Sequence, residues 1–212
     1  MLPNIKNIIR NKSELLNIVL KRGYIISYIN LNNIYDETTS NFLNDQRFHF
    51  HIDSQYLARK YKVKALCGDF SGFLDSVLRS FDHIVFVGGK PEEILIFDEK
   101  IRMDYTHKNI RCISGFEENY ESLIIQKGLV IISMGFPKQE YLAKKLSNHN
   151  NIVLCTGGMI SQNHKNRFYP KWAISLNLRW FYRLILEKNA RSRFLKVLKN
   201  FVKIQFDEIS DV

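Results

Sequence analysis

The chain has 212 residues, 45% hydrophobic and 25% charged, an ordinary globular balance that argues against disorder and suffices for one sizeable core with at most an appendage. Its three cysteines, Cys67, Cys112 and Cys155, are far apart and lack a Cys-x-x-Cys spacing, so the pattern suggests neither a disulfide framework nor a cysteine zinc site and reads as cytosolic. The net charge of +10 is concentrated: residues 164–206 hold eleven Lys/Arg against one acid, Glu187, while 1–163 are close to neutral.

In chain order, the opening residues Met1 to Lys6 lack the apolar run of a signal peptide, and no later stretch reaches the roughly 18 apolar residues of a membrane span, so no crossing segment is expected. Asn11-Lys12-Ser13-Glu14 is a polar helix start before Leu15, Leu16, Ile18, Val19 and Leu20, and Gly23 ends it. Short apolar runs then predict strands over 24–30, 83–88, 109–114, 129–134 and 152–156, with helices over 70–81, 91–104, 117–127 and 137–148 between them. Strands alternating with helices predict an α/β fold: a mostly parallel, Rossmann-like sheet flanked by helices. Beyond Thr156 the pattern changes. Residues 170–186 place Trp172, Leu176, Trp180 and Leu184 four apart, and 190–206 place Phe194, Val197, Leu198, Phe201 and Ile204 three or four apart. This predicts a core over 1–163 and a C-terminal appendage of basic amphipathic helices over 164–212.

Several motifs could carry chemistry. Gly88-Gly89-Lys90-Pro91 follows a predicted strand and opens a helix, where glycines let the backbone approach a phosphate and a helix N-terminus offers N–H groups; a plain tight turn is the alternative. Gly135-Phe136-Pro137-Lys138-Gln139-Glu140 stands in the equivalent place after the next strand. There Glu140 could merely complement the helix dipole, with Lys138 and Gln139 solvated. His49-Phe50-His51-Ile52-Asp53, if extended, puts two imidazoles and a carboxylate on one face, as a metal site needs, though His83, His107, His149 and His164 form no second cluster. Asp53 is more useful as a general base at a strand end. Asp69 precedes a helix and reads as a cap or as a substrate contact.

Three blocks in fixed order resemble one family. Val85-Phe86-Val87-Gly88-Gly89-Lys90-Pro91 is similar to its first glycine block. Met134-Gly135-Phe136-Pro137-Lys138-Gln139-Glu140 is similar to its Gly-x-Pro-Lys-Gln-Glu signature. Gly157-Gly158 followed by Arg167, Pro170, Trp172, Trp180, Tyr182, Arg183 and Glu187 is similar to its C-terminal block. The family is WecG/TagA/CpsF, glycosyltransferase family 26. The resemblance implies inverting, metal-independent and cofactor-free transfer of an N-acetylmannosamine-type sugar from a UDP-sugar donor to an undecaprenyl-diphosphate-linked acceptor in cell-surface polysaccharide or teichoic acid synthesis. The family's base falls on Asp53. Its donor side falls on Asn30, Asn32, Asp69, Gly88, Gly89, Lys90, Gly135, Pro137, Lys138, Gln139, Glu140, Gly157 and Gly158, and its acceptor-diphosphate arginines on Arg167, Arg183, Arg191 and Arg193. Three positions depart from the pattern: the Asp-Gly reads Asp53-Ser54, the early active-site Thr falls on Asn30, and the Asp after the later Gly-Gly falls on Ser161.

The basic tail suits an anionic membrane surface, because its lysines and arginines are interleaved with Trp and Phe on amphipathic helices. Nucleic acid would need similar charge, but no motif for it accompanies the tail. The expected place is peripheral, on the cytoplasmic face of the bacterial cell membrane, as a monomer or homo-oligomer. Two other readings stand beside the transferase: a catalytically lapsed sugar-nucleotide-binding partner of a polysaccharide assembly complex, and a metallohydrolase at His49, His51 and Asp53.

Overall fold

The fold was analysed in a computed structural model, which describes residues 2–69, 72–117, 128–147, 151–163, 170, 172, 175, 182, 185 and 190–209. Six strands, β1 (Ile25–Ile29), β2 (Phe48–Ile52), β3 (His83–Gly88), β4 (Asn109–Ile113), β5 (Leu129–Ser133) and β6 (Ile152–Cys155), form one sheet in the order β2-β1-β6-β5-β3-β4. Every pairing is parallel, so all six carboxyl ends lie along one edge.

Alternation along the strands sorts their side chains onto two faces. Val85 and Val87, Val130 and Ile132, and Val153 and Cys155 point to one face; Ile84 and Phe86, Leu129 and Ile131, and Ile152 and Leu154 point to the other. Because both faces are covered, the central strands β1, β3, β5 and β6 are mostly apolar, as buried parallel sheets require, while the edge strand β4 exposes Asn109 and Arg111. The first face is packed by α2 (Glu37–Leu43), α3 (Gln55–Lys60), α6 (Lys138–Leu146) and α8 (Ala190–Ile209), through Phe42, Leu57, Leu142 and Ile204. The second is packed by α1 (Lys12–Val19), α4 (Leu74–Arg79), α5 (Pro91–Asp104) and α7 (Met159–Asn163), through Leu15, Val77, Phe97 and Ile160.

Local chemistry sets the helix ends. Asn11 caps α1 by accepting from the Glu14 N–H at 3.0 Å, and Gly23 takes the left-handed conformation just beyond it. Pro91 is the first residue of α5, where its missing N–H costs nothing. The helix anticipated over 70–81 is shorter: α4 starts at Leu74, the Asp69 carbonyl accepts from the Gly72 and Leu74 N–H groups, and Gly72 and Phe73 form a turn before it. Asp69 therefore does not cap α4; Phe73 holds that position. The helices anticipated over 117–127 and 170–186 lie almost wholly outside the described residues.

The extended His49-Phe50-His51-Ile52 segment is β2, paired in register with β1 so that Tyr28 lies opposite His51. The C-terminal helix is docked on the core. Ile204 is fully buried, Asn200 donates to the Leu31 carbonyl at 2.7 Å, and the Phe201 ring lies 4.7 Å from that of Tyr56.

Candidate functional site

The carboxyl ends of β1, β3, β4, β5 and β6 open into one cleft of about 1070 Å³, and α8 adds Lys196 to its rim. In an open parallel sheet this is where each chain leaves its strand and exposes backbone polar groups to a ligand. The volume suits a small organic ligand.

At the end of β1 an asparagine turn forms the first wall. The Asn30 N–H donates to Asn33 Oδ1 at 2.8 Å, Asn30 Oδ1 accepts from the Asn32 N–H at 2.9 Å, and Asn33 Nδ2 donates to the Tyr28 carbonyl at 3.0 Å. Asn30 thus uses its side-chain oxygen on the turn itself. Asn32 lines the cleft, with Oδ1 buried and lacking a hydrogen-bond partner.

The β3–α5 junction differs from a bare phosphate cradle. Gly88 and Gly89 both have positive φ, and a side chain at Gly88 would collide with the Ser133 carbonyl, so glycine is required there. The Lys90 N–H, however, donates to Glu93 Oε2 at 3.0 Å, and Ser161 Oγ donates to the same oxygen at 2.7 Å. A carboxylate therefore occupies the first turn of α5, and Lys90 offers the cleft its exposed side chain.

At the β5–α6 junction Gly135 has φ of 79°, the Phe136–Pro137 peptide is cis, and α6 begins at Lys138. Lys138 Nζ donates to the Gly115 carbonyl at 3.4 Å and stands 5.9 Å from the Phe116 ring centre, on the cleft wall. Gln139 and Glu140 face the other way and are fully buried. Glu140 Oε1 accepts from Ser27 Oγ at 2.7 Å and from Gln139 Nε2 at 2.8 Å, while Gln139 Oε1 accepts from the Gly157 N–H at 3.0 Å. Burial holds the Glu140 carboxyl above the ordinary glutamate range, against the lowering effect of those two donors.

After β6, Gly157 has φ of 68°, and the Tyr28 hydroxyl lies 2.9 Å from where its Cβ would stand. The Gly157 carbonyl accepts from Ser133 Oγ at 2.8 Å, and Ser133 Oγ accepts from the Ile160 N–H at 3.0 Å. Gly157, Gly158, Ser161 and Gln162 all line the cleft. Lys90, Lys138 and Lys196 bring positive charge to it. Lys196 Nζ is 2.9 Å from Asp36 Oδ2, and the Asp36 carboxyl is held below its ordinary range first by the Thr38 hydroxyl and then by Lys196.

Of the residues singled out from sequence, Asn30, Asn32, Gly89, Lys90, Gly135, Pro137, Lys138, Gly157 and Gly158 meet in the cleft. Gln139 and Glu140 lie behind its wall. Asp53 is exposed at the carboxyl end of β2, one strand over from Asn30, with its N–H bonded to the Ile29 carbonyl at 3.0 Å, and it does not line the cleft; nor does Asp69. Arg167 and Arg183 lie outside the described residues, and Arg191 and Arg193 belong to the first turn of α8. His49, His51 and Asp53 do not form a metal-binding group: His51 is fully buried with its ring edge-on to Phe73 at 5.1 Å, and burial lowers its pKa to about 4.

Sequence reasoning passed over Ser27, Tyr28, Glu93, Ser133 and Lys196. Ser27 and Ser133 carried a usable signal, each being a hydroxyl set within an apolar strand. Lys196 carried none, since only the docking of α8 brings it to the cleft.

Residues 71–209 match the family model described as Glycosyl transferase WecG/TagA/CpsF family. The chain is also 30% identical over 142 residues to the N-acetylglucosaminyldiphosphoundecaprenol N-acetyl-beta-D-mannosaminyltransferase of Bacillus subtilis (strain 168), an alignment taking in 59% of this chain and 52% of that protein. The chain spans about half the length of the curated relative it matches.

Proposed function

The chain belongs to the WecG/TagA/CpsF family of glycosyl transferases, and on that premise we propose that it transfers an N-acetylmannosamine-type sugar from a UDP-sugar to a polyprenyl-diphosphate-linked acceptor. The observation that carries this reading is the cleft at the carboxyl edge of the sheet, walled by the glycine turns at Gly89, Gly135 and Gly157 and bordered by Lys90, Lys138 and Lys196. Glycine turns leave room for a diphosphate to approach the backbone, and lysines balance the charge that grows on it as the glycosidic C–O bond breaks. The printed name of the Bacillus relative supplies the acceptor class.

In this reading the reaction is a single inverting displacement. The acceptor hydroxyl oxygen attacks the anomeric carbon, that carbon's bond to the UDP oxygen breaks, UDP departs, and the hydroxyl proton passes to Asp53. Asp53 stands at the same sheet edge as Asn30, which suits an acceptor entering from the β2 side. The C-terminal helix would face the membrane: Leu195, Leu198, Val202 and Phe206 are exposed on α8 beside Lys199. In this reading attachment is peripheral, through those exposed residues, on the inner face of a bacterial membrane; no helix among the described residues is long and apolar enough to cross a bilayer.

One observation favours a second reading. Among the described residues Asp53 does not line the cleft, as would be so in a lapsed enzyme that still binds sugar nucleotides. Purified protein with a water-soluble polyprenyl-diphosphate-GlcNAc analogue and a panel of UDP-sugars decides between them. The expected result is UDP release with one donor, reduced at least ~100-fold in Asp53→Asn while UDP affinity holds. Saturable UDP binding without release from any donor would establish the lapsed reading instead.

A further inference from the structure

Two polar residues in sequence, Gln139 and Glu140, lie fully buried on α6, where the neighbouring core positions hold Leu142, Ala143 and Leu146. Burying a carboxyl and an amide is unfavourable unless each polar atom finds a partner, and here the match is incomplete: Glu140 Oε2 has none. A site that breaks the local rule in this way points to a task other than packing.

We propose that Glu140 and Ser27 are positioning residues, which act through the Gln139 amide to fix the Gly157 turn at the floor of the cleft. The orientation of a glutamine amide is set by its neighbours. Glu140 Oε1 takes the Ser27 hydroxyl at 2.7 Å and Gln139 Nε2 at 2.8 Å, which leaves Gln139 Oε1 aimed at the Gly157 N–H, 3.0 Å away. With the amide reversed, an NH₂ group would face an N–H and a carbonyl would face the Glu140 oxygen, so the relay admits one state. At its far end Ser133 Oγ holds the Gly157 carbonyl at 2.8 Å. Both sides of a glycine with φ of 68° are thus held by side chains, Gln139 of α6 and Ser133 of β5, with Ser27 of β1 acting on the first through Glu140, and Gly158, Ser161 and Gln162 beyond it line the cleft. Gln139 and Glu140 in this account touch no donor. They set where the backbone that meets it stands.

Hydrogen exchange of the full-length ¹⁵N-labelled protein reads the turn directly, and calorimetric titration with UDP reads its consequence; only the second arm rests on the transferase reading. Glu140→Leu and Ser27→Ala are expected to speed exchange of the Gly157 amide about tenfold relative to the β3 and β5 amides, the equivalent of one lost hydrogen bond, and to weaken UDP binding by a similar factor. Glu140→Gln keeps a carbonyl acceptor and is expected to restore the Gly157 protection. Should Glu140→Leu fail to fold, Ser27→Ala carries the comparison alone. Unchanged Gly157 protection in the folded variants, or faster exchange spread equally over the core amides, would overturn the proposal. A wild-type protein that does not bind UDP would defeat the donor reading, with the exchange arm still deciding this one.

Discussion

The two glycine–proline junctions, after β3 and after β5, are written in nearly the same grammar and meet different fates. Each runs from a buried strand through a positive-φ glycine and a proline into a helix whose first turn carries an acid, Glu93 in α5 and Glu140 in α6. Glu93 turns back over its own helix, accepts from the Lys90 N–H and Ser161 Oγ, and stays at the cleft surface. Glu140 turns inward across the sheet to Ser27 and has no exposed surface. The difference follows from what lies opposite: β1 presents a hydroxyl within its apolar run, and α6 packs over that face. A motif thus predicts the junction, and the facing strand decides the chemistry of its acid.

The sharpest way to break this comparison is to truncate both acids. Glu140→Ala removes an acceptor from two buried donors and leaves a void, so a loss of roughly 2–4 kcal/mol in urea denaturation is expected. Glu93→Ala, whose donors can turn to water, is expected to cost about 1 kcal/mol. Equal losses would mean that the two junctions are energetically alike after all.

The same pair differs in its response to pH. Burial raises the Glu140 carboxyl above its usual 4.5, so the folded state holds that proton after the unfolded chain has released it. Stability from this group is therefore fully present below about 4.5 and declines as pH rises toward the folded value. The Ser27 hydroxyl and Gln139 amide are uncharged, and the nearby Cys155 thiol is itself pushed up by burial, so these neighbours bring no cation to offset the decline. Thermal melts of wild type and Glu140→Gln across pH 4–8 should show the wild type losing ground to the variant as pH rises. Parallel profiles would mean that folding does not raise the Glu140 carboxyl. Asp36 and Asp45, whose carboxyls are held low, titrate alike in both proteins and drop out of the difference.

The sheet was legible from sequence because buried parallel strands are largely apolar; the five predicted strands all exist and the helix over 91–104 matches α5 end to end, whereas β2, broken by His49 and His51, reads only as a conditionally extended segment. The short helices α2, α3 and α7, of seven, six and five residues, were not predicted, since fewer than two turns give no period to read. The glycines of the turns were legible for a physical reason too: Gly88 combines a positive φ with the Ser133 carbonyl close against it, and Gly157 combines one with the Tyr28 hydroxyl. What did not show was direction. Gln139 and Glu140 read as ligand contacts because a helix N-terminus is usually exposed, and only the position of Ser27 on β1, more than a hundred residues away, turns them inward.

The basic C-terminal segment differs in another sense from the near-neutral body, and one ion pair joins them at the cleft. Lys196 on α8 meets Asp36, which also caps α2 through the Thr38 N–H at 3.2 Å. The pair is partly solvated, so Lys196→Ala is expected to cost no more than ~1 kcal/mol, whereas Asp36→Ala also loses the cap and should cost about 1 kcal/mol more. A double-mutant cycle in 0.05 M and 0.5 M salt measures the coupling itself, which screening should reduce at the higher concentration. If the coupling is zero in low salt, α8 is held by its other contacts, those of Ile204, Asn200, Phe201, Lys203 and Gln205, and Lys196 belongs to the cleft and not to the latch between tail and body.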